Sequence, residues 1–337
     1  MKNIVLYIIT FCAFNLELNA QNNLHYSQYY NAPMFLNPAL TGQIGDDLFR
    51  LNAHTRQQWS GLSESGGNLY LTSSGGLDFS LFNKHLGMGM YFMQDKAGDG
   101  IYNTLEIMPS MSYSFIIGDN ALTFGSQFMY SSSQLDFSKL DFGSGVEPPY
   151  NPKSTYSDFN AGVNYKHDLY YLVANLGFSA SHLLKPYQQF SKTVPGTRIP
   201  TMYKGYLNLD WDLTDRLKLL PGVFGVFQGG SSDFLVGSNI SFKAIDGGTN
   251  GNRVIGGLWF RTNNGTNLES VIPKFGVRMN KLQILASYDW NIAMSKSGSS
   301  NYFEGLTNTF EISIIFTGKP KIVPPLLEDD FILNPRY

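Results

Sequence analysis

Side chains able to do chemistry are few in this chain and widely spaced. Its five histidines, His25, His54, His85, His167 and His182, stand apart, with no pair at metal-ligand spacing. A GxSxG elbow, an HExxH helix and a phosphate-cradling Walker loop are all missing. His182 with Asp158 or Ser181 would make an acid–base pair at a loop rim, but no spacing selects it. The one run shaped like a cation loop is 95–106, where Asp95, Asp99, Gly100, Asn103 and Glu106 fall at EF-hand positions 1, 5, 6, 9 and 12. Ala97 stands where the third position needs a ligand and the flanks read as strands, so a glycine-rich hairpin explains the same letters. The expectation is a non-enzyme with no cofactor and no bound metal.

Composition narrows the classes further. The 337 residues carry 24 basic and 26 acidic side chains, and charged residues make up 15%, against roughly a quarter in ordinary soluble domains. There is no basic excess to neutralise nucleic-acid phosphates. Aromatics also reach 15%, which a disordered chain would not carry. Residues 1–20 read as an export signal: Lys2, an apolar stretch from Ile4 to Phe14, and a close on Leu18-Asn19-Ala20 with Gln21 as the new N-terminus. The apolar stretch is too short for a good membrane span. Cys12, the only cysteine, lies within it behind Phe11, which does not suit a lipoprotein cut. The exported chain therefore has no thiol, no disulfide and no Cys-bound zinc.

What must position the polar side chains is a succession of strands. Leu105, Ile107, Pro109, Met111, Tyr113 and Phe115 alternate with Glu106, Met108, Ser110, Ser112 and Ser114, and the same two-residue period returns at 172–179, 207–213 and 310–316. The second face is Ser, Gly, Asn and a few acids rather than the Lys and Glu of a soluble sandwich, as in a barrel whose outside meets lipid. About fourteen runs begin near 46, 67, 85, 103, 121, 157, 170, 201, 215, 232, 252, 268, 282 and 306. Tight turns are expected at Asn83-Lys84, 118–120, 166–168, Thr214-Asp215 and Asn280-Lys281, alternating with long links at 57–66, 95–102, 133–156, 181–200 and 292–305; only 228–268 fits this poorly. Aromatic girdles are expected from Tyr91, Phe92, Tyr130, Trp211, Trp259, Trp290 and Phe316. The fold class is thus an all-β transmembrane outer-membrane barrel over 46–316. A segment at 21–45 forms a periplasmic piece or plug, and a Pro-rich acidic tail at 317–337 follows the barrel.

That parity turns Arg56, Asp78, Glu106, Asp158, Asp210, Asp212, Arg261, Asp289 and Glu311 into the lumen, since Arg or Lys at the lipid midplane costs about 2–4 kcal/mol. They form either a ladder of Arg–carboxylate pairs that stiffens and plugs the barrel or the lining of a charged channel. At the outer strand ends, Trp59, His182, Lys185 and Pro186 are candidate partner-binding residues. The plainer reading is that Trp59 belongs to a girdle and Pro186 ends a strand.

Motifs in order along the chain carry a resemblance. Tyr26-Ser27-Gln28-Tyr29 with Leu36-Asn37-Pro38-Ala39 and Thr41-Gly42, then Arg56-Gln57-Gln58-Trp59, Leu77-Asp78, Leu86-Gly87-Met88-Gly89 with Asp95 and Gly98, Asp158 with Gly162, His182 to Pro186, Ser287-Tyr288-Asp289 and Phe310-Glu311-Ile312 resemble the PorP/SprF family of Bacteroidetes outer-membrane proteins. Thr55 stands where that family usually has an aromatic. The resemblance implies a role in type IX secretion and gliding-associated surface export. The partners it implies are a secreted adhesin with a type B C-terminal signal domain, periplasmic secretion-ring or peptidoglycan-linked components, and the lipid bilayer. A diffusion porin or solute channel is the alternative, and a soluble exported β-sandwich adhesin a more distant one.

Overall fold

A computed structural model of the chain describes residues 26–59, 69–98, 100–139, 151–191, 196–245, 252–263, 267–292 and 308–319. The polypeptide runs up and down through β1 (Phe49–Gln58), β2 (Tyr70–Leu81), β3 (Leu86–Ala97), β4 (Tyr102–Ile117), β5 (Asn120–Leu135), β6 (Lys153–Leu169) and β7 (Leu172–Ser181). A two-residue hairpin, β8 (Tyr187–Gln188) and β9 (Thr197–Arg198), lies in the next link. The wall resumes with β10 (Met202–Asp212), β11 (Leu217–Gln228), β12 (Ser231–Ile245), β13 (Asn252–Asn263), β14 (Asn267–Met279), β15 (Leu282–Asn291) and β16 (Thr309–Gly318). All strands but β8 and β9 form one closed barrel, sealed where β1 pairs antiparallel with β16 from Phe49↔Gly318 to Gln58↔Thr309. Closure pairs the backbone without leaving an edge, as a lipid-spanning sheet must.

Alternation sets which face is which. On β4, Leu105, Met111, Tyr113 and Phe115 point outward, while Glu106, Met108, Ser110, Ser112 and Ser114 are buried in the lumen. The outer wall displays Leu176, Phe178, Phe275 and Trp290, each more than half exposed; such a belt is unfavourable in water and satisfied by lipid. Among the described residues no helix is long and apolar enough to cross a membrane. The soluble-sandwich alternative is overturned by this closed barrel with its apolar outside.

Strand starts fall within a few residues of those expected, but several details differ. The expected turn at 166–168 is part of β6, and Tyr170-Tyr171 makes the turn instead. In the stretch 228–268 the lengths invert: Gly229-Gly230, both at positive φ, close β11 to β12 on the long-link side, while β12 ends at Ile245 and β13 starts at Asn252 on the short-turn side. Tyr91 and Trp259 are no girdle residues; both are buried in the lumen, whereas Phe92, Tyr130, Trp211, Trp290 and Phe316 face outward. The last strand continues past Phe316 to Gly318. The strand ends Phe49 and Gly318 lie together at the mouth bearing the short turns, which in barrels of this kind faces the periplasm.

Candidate functional site

The lumen is occupied by the chain's own N-terminal segment. From Tyr26 it makes a 3-10 turn (Tyr29–Asn31), one α-helical turn (Pro33–Leu36) and a second 3-10 turn (Pro38–Leu40) before β1 begins. Prolines at both later starts fix φ and remove an N–H that would have no partner there. Ala32, Met34 and Ala39 are wholly buried. Two apolar clusters flank the segment. Tyr29 and Leu36 pack with Tyr206, Phe224, Leu235 and Trp259 on one side, and Tyr26 and Met34 with Tyr91, Met93 and Met108 on the other.

Charge fixes its first residues. Glu311 accepts from the backbone N–H groups of Ser27 (2.8 Å) and Gln28 (2.6 Å), from His54 Nε2 (2.8 Å) and from Arg56 (2.8 Å). Asp289 accepts from the Ser27 hydroxyl (2.6 Å) and pairs with Arg56 (3.2 Å) and Arg261 (2.9 Å). Arg56 and Arg261 also donate to the Ser27 hydroxyl oxygen, and Lys274 donates to the Ser27 carbonyl (2.6 Å) while lying over the Trp259 ring. Six charged or titratable side chains from β1, β13, β14, β15 and β16 thus meet on one dipeptide. Burial is tolerated because Arg56, Arg261, Asp289 and Glu311 pair with one another and each of the six makes at least one hydrogen bond.

Two further clasps follow. Asn37 donates to the carbonyls of Val163 and Phe178, and its own carbonyl caps Ala39 N–H. Lys204 donates to the Phe35 carbonyl (2.7 Å), Ser179 to that of Leu36 and Gln127 to that of Met34. Near the short-turn mouth, Asp78 accepts from Gly42 N–H (2.7 Å) and Arg50 (2.6 Å), and Ser112 donates to the Thr41 carbonyl. Two glycines permit this closeness. A Cβ at Gly87 would lie 2.0 Å from Thr41 O, and one at Gly162 would lie 2.0 Å from Asn37 Oδ1.

The inward charges therefore divide into separate groups. Arg56, Arg261, Asp289 and Glu311 meet at Ser27; Asp78 pairs with Arg50; and Asp158 accepts from His182 Nδ1 (2.9 Å) and from Leu184 N–H. Asp210 and Asp212 share the inward parity but sit at the short-turn rim, paired with Lys218 and half exposed, so they do not belong to the buried group. Glu106 is buried near the opposite mouth, and among the described residues no Arg pairs with it. Arg50, His54, Lys204 and Lys274 were missed although they share the same inward parity, the one signal in the sequence that marks them.

Beyond the segment, toward the long links, the lumen opens into a vestibule of ≈ 340 Å³. Phe35 of the segment lines it, with Trp59, Tyr70, Asp95, Glu106 and His182 from the wall. The 16- and 17-residue strands β4, β5 and β6 exceed the roughly 9–11 residues that cross hydrocarbon, and Tyr102 and Ser133 bring their ends to its rim. Trp59 and His182 share this space. Both hold left-handed backbone (φ 54° and 60°), and Trp59 packs edge-on against Tyr70. Lys185 is exposed, and Pro186 follows it toward β8. Asp95 and Glu106 sit in β3 and β4, where Thr72 donates to Asp95 (2.6 Å), so the 95–106 run is a hairpin. A second cavity of ≈ 260 Å³, bounded by Tyr30, Leu40, Gln43 and Arg50, opens toward the short turns. The expected signal at 1–20 and all but the start of the tail at 317–337 lie outside the described residues.

Comparison with known proteins agrees with this architecture. The family model described as type IX secretion system membrane protein PorP/SprF matches residues 18–316. Among solved structures, a TodX monoaromatic hydrocarbon channel deltaS2S3 mutant superposes with TM-score 0.52 at 9% identity, covering 85% of this chain and 92% of that one. The toluene transporter TbuX of Ralstonia pickettii gives TM-score 0.49 at 9% identity, covering 85% and 92%. The toluene transporter TodX of P. putida gives 0.49 at 8%, covering 86% and 94%. At such identities the likeness concerns the barrel fold alone. Among curated proteins none matches.

Proposed function

The chain belongs to the type IX secretion system PorP/SprF membrane proteins, and we propose that it acts there as a closed outer-membrane platform that holds secreted cargo outside and secretion-machine components inside. The cargo class is an adhesin carrying a type B C-terminal signal domain, exported to the surface in support of gliding. The inner partners are periplasmic ring or peptidoglycan-linked components, met through the short-turn mouth and the tail at 317–337. Residues 1–20 deliver the chain as a cleaved signal.

The observation that carries this reading is the clasped segment. A lumen filled by its own chain and fixed by paired buried charges around Ser27 and Gln28 leaves no open passage for passive diffusion. A fixed plug leaves the vestibule as a recess open to the outside, with Trp59 and His182 in its wall. Neither the family nor the fold is of an enzymatic kind, and no catalysis is assigned. The test is removal of the protein from its own cells. The cargo adhesin should vanish from the surface and return when the wild-type chain is restored; unchanged surface display would refute the proposal.

A solute channel is the second reading. It is favoured by the cavities on both sides of the segment and by the fold it shares with the TodX channel. It requires the segment to leave or shift, and an Ohmic conductance of the purified wild-type barrel in a planar bilayer would support it.

A further inference from the structure

The wall of the outer vestibule holds more acceptors than the described residues supply with donors. Glu106, 8% exposed, lines it, and so does Asp95, its diagonal neighbour through the Asp95↔Thr104 pair. Among the described residues no Lys or Arg forms an ion pair with Glu106; His182 bonds to Asp158, and Lys204 donates to the Phe35 carbonyl. Gln228, 6% exposed, also lines the cavity, and its carbonyl Oε1 has no partner among the described residues. The donors in the same wall are spent internally. Gln228 Nε2 goes to Pro200 O (2.9 Å), Gln188 Nε2 to Tyr102 OH (2.7 Å) and Thr72 Oγ1 to Asp95. Phe35, Trp59, Tyr70, Tyr102 and Tyr156 supply ring faces and edges around them.

A buried carboxylate without a cation is costly, and an unpaired buried amide oxygen adds to that cost. A ligand that relieves both must bring positive charge and several N–H donors on one head, and it must tolerate aromatic walls. A guanidinium meets all three demands, with five donors in a plane that stacks on rings. We infer that the vestibule is a receptor for an arginine side chain presented from outside by a partner polypeptide, with Glu106 and Asp95 as its counter-charges and Gln228 as a further acceptor. This deepens the platform reading and rests on it for the identity of the partner; the recognition chemistry rests on the cavity alone.

The experiment titrates the detergent-solubilised full-length barrel with acetyl-Gly-Arg-Gly-amide and with the same peptide carrying citrulline, which keeps the shape and loses the charge. Saturable binding of the arginine peptide is expected, weaker by about tenfold for citrulline and for the near-isosteric Glu106→Gln and Asp95→Asn variants. Heat-modifiable migration on gels verifies that each variant is folded. No binding, equal binding of the two peptides, or full binding by Glu106→Gln would each overturn the inference. Cargo display by cells lacking the barrel is scored separately. Display that depends on the barrel while the purified wild type ignores the arginine peptide overturns the receptor and leaves the platform; display independent of the barrel overturns the platform.

Discussion

Glu311 is the residue on which the closed state depends most, because one carboxylate receives the Ser27 and Gln28 N–H groups of the plug together with His54 and Arg56. Neutralising Glu311 leaves Asp289 as the only carboxylate facing Arg56 and Arg261, and breaking a buried pair in this way costs about 3–5 kcal/mol. Glu311→Gln is therefore expected to loosen the segment while the strand pairing survives. In a planar bilayer the variant should conduct where the wild type is silent, and an equally silent variant would show that the ion group does not hold the plug. The contrast with Asp210 and Asp212 is instructive: carboxylates of the same parity at the rim pair with Lys218 in water's reach, where ion pairs contribute little. Parity alone made Asp289 and Asp212 look alike in the sequence. What separated them was height along the strand and the arrival of Ser27 from a segment hundreds of residues away, which no local pattern encodes.

At the scale of elements, many of the motif residues that carry the resemblance lie on the interface between plug and wall, while Trp59, Asp95 and His182 line the vestibule. Ser27, Gln28, Asn37 and Gly42 belong to the segment; Arg56, Asp78, Gly87, Gly162, Asp289 and Glu311 belong to the strands that receive them. Strand existence and facing were legible because the two-residue period is written in every strand. The fit of the segment was not, since its short helical turns show no sustained period and its partners are remote. Gly87→Ala places a methyl against the Thr41 carbonyl, and overpacking of this kind costs about 1–3 kcal/mol. The expected result is a lowered temperature of heat modification with the barrel's circular dichroism unchanged, and no shift at all would contradict the tight contact. Ahead of β1, Asp47 is partly buried, which pushes its carboxyl up, but donors from Thr317 (2.6 Å) and Lys281 (3.0 Å) outweigh that and hold it below the usual range. Its contribution is present above the ordinary carboxylate pKa and lost as pH falls through the lowered value. An Asp47→Asn barrel should therefore lose the acid-side part of its pH-dependent stability, read from melting at graded pH.

As a whole molecule the barrel has two unlike mouths, and both described strand ends lie at the one with the short turns. Because the only cysteine is Cys12, single cysteines can map this directly. In intact cells, Lys185→Cys should react with a membrane-impermeant maleimide and Asp119→Cys should react only after the membrane is opened; the reverse pattern would invert the barrel. Deleting 319–337 spares β16, which ends at Gly318, so folding should persist while contact with the machinery weakens; undiminished cargo release would remove the tail from the account. The most direct measurement is affinity purification of the tagged, detergent-solubilised protein from its own membrane, with mass spectrometry of what remains bound. The platform account predicts a large adhesin with a C-terminal secretion domain, together with periplasmic components of the secretion machine. A partnerless barrel that conducts in a bilayer would contradict it.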